Sequence, residues 1–240
     1  MHQAVDRVVS VFLSATDAAL GSEYTAVLFG SAARGDFAVE RSDINLMLVI
    51  EDLSPAVLRS LGPAFAGWRA TDYPAPLLIT SGEWARAADV FPIEIADMRV
   101  ARQVLRGRDP LAGVTLRRSD LRRELEREFR GKLLRLRQGY AAVGREPATL
   151  TQLAGKSASS VLVLLRGLLE LLGRPVPTDP VEVALAAAAA IGIPKEHLLH
   201  VVDLRGRAGA ECTSDVFEEY LSAVTHAARF LDQLQLGEPE

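Results

Sequence analysis

Three short elements of this sequence carry residues able to do phosphate and metal chemistry. They are Phe29-Gly30-Ser31-Ala32-Ala33-Arg34-Gly35-Asp36, then Ser42-Asp43-Ile44-Asn45-Leu46, then Glu94 within Phe91-Pro92-Ile93-Glu94-Ile95. Glycine lets backbone N–H groups approach a phosphate closely, Ser31 adds a hydroxyl donor, and Arg34 supplies charge to the same anion. In a strand, alternate side chains share a face, so Asp43 and Asn45 point one way while Ile44 and Leu46 point the other. Two side-chain oxygens at that spacing, beside a Gly-Ser turn, form a pocket for a hard cation. Mg²⁺ takes one or two carboxylates plus substrate phosphate oxygens. Glu94, between Ile93 and Ile95, needs a partner, and a metal or an arginine would serve; an edge-strand glutamate in solvent is the other reading. Asp97 falls on the opposite face of the same segment and is expected to cap or to meet water.

The elements that must position these residues are also legible. Val5, Val8, Val9, Phe12, Leu13 and Leu20 recur at helical spacing over 4–20, and Gly21 follows as a stop. Tyr24 to Phe29 and Ile44 to Ile50 read as buried strands, with a turn and a short helical start between Gly30 and Gly35. Ser54-Pro55 opens a helix through about Trp68. Leu77 to Thr80 is expected as a third strand, Ser81 as the cap of a short helix through Ala88, and Phe91 to Met98 as a fourth strand. From residue 120 the pattern becomes helical. Leu121, Leu125, Phe129, Leu133, Leu136 and Tyr140 mark a helix over 120–143, and a second spans about 148–172. Asp179-Pro180 opens an alanine-rich helix ending at Gly192. A short segment at Glu196–Asp203 and a helix over about 214–235 follow. The expected organisation is α+β: a mixed sheet flanked by helices in residues 1–112, then an all-α bundle in 113–240.

The composition sets bounds on partners. Of 240 residues, 49% are hydrophobic and 24% charged, with a net charge of −4 and a pI near 5.7. That balance gives no global attraction to nucleic acid or membrane, and neither is expected as a partner. One cysteine, Cys212, rules out a disulfide framework within the monomer and fits a cytoplasmic protein. The arginines and glutamates of 120–137 read as a solvated face with i, i+4 ion pairs. His197 and His200 read as surface residues, and Trp68 and Trp84 as packing.

Phe29-Gly30-Ser31, eleven further residues, then Asp43-x-Asn45 in an apolar strand resembles the nucleotidyltransferase superfamily. That group includes polymerase-beta-like enzymes, minimal nucleotidyltransferases and aminoglycoside nucleotidyltransferases. Ser42-Asp43-Ile44-Asn45-Leu46 matches the motif at every position except the second acid. The resemblance implies transfer of a nucleoside monophosphate from a nucleoside triphosphate to an acceptor hydroxyl, on a small molecule or a protein. Two Mg²⁺ ions about 4 Å apart would stabilise the attacking and leaving oxygens. Asp43, the residue at 45, and Glu94 as the third acid would hold the metal, and Gly30, Ser31 and Arg34 would hold the nucleotide. Asn45 is a neutral ligand where a carboxylate is usual. It predicts one well-held ion in place of two, and slow or absent transfer. The alternatives are a nucleotide-binding pseudoenzyme and an antitoxin-like interaction protein, and a homodimer is left open.

Overall fold

The structure is a computed structural model that describes residues 2–37, 39, 42–206 and 211–236. The chain divides into two compact units, Met1–Thr115 and Leu116–Glu240.

The first unit is built on α1 (Gln3–Leu20) and a four-stranded sheet. Val5, Val9, Phe12, Leu13 and Thr16 line the buried stripe of α1. The helix stops at Gly21, which adopts φ 68° and donates its N–H to Asp17 O, a conformation that favours glycine. β1 (Tyr24–Phe29) follows. Beyond it lie the single turn α2 (Ser31–Arg34) and β2 (Asn45–Ile50). β1 and β2 pair antiparallel with Phe29 opposite Asn45 and Tyr24 opposite Ile50. The alternation then sorts the faces. Tyr24, Ala26 and Leu28 join Ile44, Leu46, Leu48 and Ile50 in one core with Val5, Val9, Phe12 and Leu13 of α1.

The segment after Ser54 is helical, in two pieces: α3 (Pro55–Ser60) and α4 (Gly62–Arg69). Gly62-Pro63 interrupts the single helix expected from the sequence. α4 brings Trp68 over α1, where it packs edge-on against Phe12 at 5.0 Å and donates its indole N–H to Pro74 O at 2.8 Å. β3 (Leu77–Ile79) pairs in parallel with β2. Thr80, rather than Ser81, caps α5 (Ser81–Trp84), through a reciprocal capping box with Glu83. A 3₁₀ turn, Ala87–Asp89, follows.

The expected fourth strand at Phe91 to Met98 is a helix, α6 (Pro92–Val100). Pro92 sits in its first turn, where a missing N–H leaves nothing unpaired, and Phe91 O accepts from Ile95 N at 3.0 Å. Ile93, Ile95, Ala96, Asp97 and Met98 are all buried, so the apparent apolar–polar alternation does not describe a two-faced strand. The fourth strand comes later, as β4 (Arg102–Arg106), antiparallel to β1 with Arg102 opposite Phe29. The sheet order is β3-β2-β1-β4.

The second unit is all helical. α7 (Arg118–Val143) buries Leu121, Leu125, Phe129, Leu133 and Leu136, and α8 (Pro147–Leu171) returns alongside it after a turn at Gly144. Two glycines set how closely they approach. A Cβ on Gly139 would lie 2.6 Å from a methyl of Leu153, and one on Gly167 would lie 2.9 Å from a methyl of Leu125. α9 (Pro180–Ile191) is capped by Asp179, which accepts from Val181 N and Glu182 N. α10 (Glu196–Gly206) and α11 (Ser214–Gln233) complete the unit. Tyr220 on α11 is wholly buried and its hydroxyl lies 2.8 Å from that of Ser157 on α8. The charged face of α7 is laced by ion pairs, among them Arg122–Glu126 and Arg130–Glu126.

Candidate functional site

The turn after β1 is shaped by Gly30. Its φ of 72° and ψ of −153° lie in a region open essentially to glycine alone. Gly30 O accepts from Ala33 N at 3.1 Å and Arg34 N at 3.0 Å, which starts the single turn α2. Ser31 is buried at its head, and Gly35, in the left-handed conformation, ends it.

Asn45 is brought to this turn by sheet register, since it pairs with Phe29, the residue before Gly30. A Cβ built on Gly30 would overlap Asn45 Nδ2 and lie 3.5 Å from its Cγ. The amide therefore rests directly on the glycine backbone. Ile44 belongs to the core with Leu46, so its neighbours Asp43 and Asn45 are turned to the other side. Asp43 is exposed and Asn45 half-buried.

Glu94, expected on a strand as the third acid, is on a helix instead. It lies in the first turn of α6. The strand that adjoins β2 on the side away from β1 is β3, and its residues are Leu77, Leu78 and Ile79. No carboxylate is offered there. Among the described residues, no three His, Cys, Asp or Glu side chains gather to hold a metal ion. Mg²⁺ requires oxygen ligands in near-octahedral array, with carboxylate charge to offset its own. Among the described residues no such cluster of acids is present for a two-ion centre, and Asp43 beside the neutral Asn45 suits one ion that arrives with phosphate oxygens of its own.

Arg34, the expected phosphate cation, is turned inward. Its side chain is 3% exposed; it donates from Nη1 to Asp97 Oδ1 at 2.6 Å and lies 3.3 Å from Asp36 Oδ1 through Nε. Asp97, expected to cap or meet water, is 6% exposed and buried against this arginine. The pair ties α2 to α6.

A second arginine stands at the same end of the sheet, in a place the sequence reading passed over. Arg102 is opposite Phe29 on β4, and Phe29 is opposite Asn45 on β2. Residues directly opposed in antiparallel strands share a face, so Arg102, Phe29 and Asn45 form one row across three strands. The Arg102 fork grips Asp109, Nε to Oδ1 at 3.0 Å and Nη2 to Oδ2 at 2.5 Å, while Nη1 donates to Met98 O at 3.2 Å. Those hydrogen bonds hold the Asp109 carboxyl below the usual carboxylate range and push the guanidinium up. No element was expected over this stretch, and the strand-like Val104-Leu105 pair was the available signal.

Lys156 is exposed on α8, and His200 is exposed and lies 3.4 Å from Glu219. Trp84 is buried and donates to Pro110 O at 2.8 Å. No helix among the described residues is long and apolar enough to cross a membrane.

No family model matches the chain, and no curated protein matches its sequence. Its fold is similar to that of a solved structure, spectinomycin adenyltransferase AAD(9) from Enterococcus faecialis, determined with ATP and spectinomycin. The TM-score is 0.59 at 12% sequence identity, over 95% of this chain and 99% of that one. The chain thus has the nucleotidyltransferase fold, an α+β unit with a mixed sheet followed by helices.

Proposed function

We propose that this chain binds a nucleoside triphosphate at the Gly30–Ser31 turn and has lost the transfer of a nucleoside monophosphate. The fold supports the ligand class, since the similar structure was determined with ATP. The observation that carries the loss of transfer is Asn45 lying on Gly30 where a second carboxylate would stand, beside a β3 strand with no acid. An amide in that position offers N–H donors as well as an oxygen, and donors suit phosphate oxygens rather than cations. Asp43 would hold a single Mg²⁺ brought in on the triphosphate, and that ion would supply charge to the phosphates. Ser31 and the backbone of the turn would orient the phosphate chain. The slow-transferase reading would draw its third acid, Glu94, from the first turn of α6 rather than from a strand. Any acceptor would be a hydroxyl-bearing small molecule or protein.

The test is calorimetric titration with ATP, GTP, CTP and UTP, with and without Mg²⁺, alongside a pyrophosphate-release assay. Saturable binding of at least one triphosphate with no pyrophosphate above the protein-free blank is expected. Absence of binding to all four would overturn the ligand class. Turnover in the presence of a hydroxyl acceptor would overturn the loss of transfer.

A further inference from the structure

We infer that Arg102 is the triphosphate-binding cation of this site and that Asp109 holds its fork closed until an anion displaces it. The inference rests on the nucleotide-binding reading and goes beyond it by naming the residue that recognises the charge. A triphosphate needs positive charge near the Gly30–Ser31 turn. Arg34 is 3% exposed and faces Asp36 and Asp97, so it cannot reach a ligand without breaking a buried pair. Arg102 begins one strand away from Phe29, about 4.8 Å in a sheet, on the face shared with Asn45. A side chain of its length spans that gap.

The contacts of Arg102 divide in a useful way. Nη1 is anchored on Met98 O at the end of α6, whereas the Nε/Nη2 edge is given to Asp109. That edge is the planar fork that fits a carboxylate or a phosphate with two parallel bonds. The Arg102 and Asp109 side chains are 28% and 39% exposed, so solvent screens the pair and an incoming anion can reach the fork. Several negative charges on a triphosphate outcompete one carboxylate for the fork. Asp109 keeps a partner when it lets go, because Oδ1 also accepts from Leu111 N at 3.0 Å. The exchange therefore strands neither group.

The experiment is ATP titration of the full chain and of Arg102→Ala, Arg102→Lys and Asp109→Asn, with thermal unfolding of each. Arg102→Ala is expected to weaken ATP roughly tenfold or more, the loss of one charge-assisted pair. Arg102→Lys should recover part of it, since the charge returns without the fork. Asp109→Asn is expected to tighten ATP severalfold by freeing the fork. A purely structural role would make Arg102→Ala and Asp109→Asn act in the same direction, so opposite signs support the inference. Same-sign or absent effects in a protein that binds ATP overturn it while leaving the nucleotide reading intact. Failure of the unaltered chain to bind any triphosphate overturns both.

Discussion

Arg34 on α2 and Asp97 on α6, 63 residues apart in the chain, meet in an ion pair of 2.6 Å with both side chains almost wholly out of water. A pair in this setting contributes little net stability while intact, yet removing Arg34 takes a buried cation from both Asp97 and Asp36. Arg34→Ala should destabilise the protein by about 3–5 kcal/mol, and Asp97→Ala by less, because Asp36 still faces the guanidinium. The double replacement Arg34→Met with Asp97→Leu should return most of that loss. Urea unfolding of the three variants checks this, and a loss below about 1 kcal/mol for Arg34→Ala, as at an exposed pair, would contradict it.

Gly30 and Asn45 are coupled by contact rather than by sequence. Gly30→Ala meets two obstacles, a backbone conformation worth about 1–3 kcal/mol to a residue with a Cβ and the Asn45 amide itself. Asn45→Ala removes only the second. The penalty of Gly30→Ala should thus fall by about 1 kcal/mol or more when measured in the Asn45→Ala background. Additive effects in this double-mutant cycle would mean that the amide swings aside at no cost.

Asn45→Asp restores the motif's second acid without restoring a third. Additional carboxylate charge should strengthen Mg²⁺-dependent triphosphate binding by about tenfold. Pyrophosphate release should remain at the blank, because β3, the strand next to β2, carries no acid. Turnover by this single variant would show that a third ligand reaches the site from elsewhere.

The pH dependence of stability has two identifiable limbs in the first unit. Hydrogen bonds from Arg106 and then from Tyr24 hold the Asp17 carboxyl below its ordinary value of 3.8. A depressed carboxyl stabilises the fold above its unfolded value and loses that contribution as pH falls through the folded one. Asp17→Asn should therefore flatten the decline in unfolding free energy between about pH 4 and lower values. At the alkaline end, burial and then the bond to Asp17 push Tyr24 well above its ordinary value of 10.0. That contribution is present below pH 10.0 and fades as pH rises toward the folded value. In an absorbance titration, Tyr24 and the buried Tyr220 should ionise only as the protein unfolds, and Tyr24→Phe should remove one of those late steps.

What the sequence disclosed and what it hid follow from the range of the forces. Tyr24–Phe29 and the stripe Leu121–Leu125–Phe129–Leu133–Leu136 were readable because local periodicity alone decides them. Phe91–Met98 misled because Ile93, Ile95 and Met98 are buried around a whole helix, and burial on all sides erases the period. Pro92 was the local sign of a helix start that outranked the alternation. The Gly30–Ser31 turn and Asp43 were legible as a motif. The fates of Arg34 and Arg102 were not, because Asp97 selects the first and sheet register positions the second, and neither is visible in the neighbouring letters.

The two glycine notches of the second unit, Gly139 facing Leu153 and Gly167 facing Leu125, work as a vernier. Each leucine fits only when the opposing helix stands at one height, and the two fits lie far apart along the same pair. A slip of one turn, about 5.4 Å, would drive both side chains into backbone at once. The α7–α8 hairpin is therefore a ruler whose register is read at two marks.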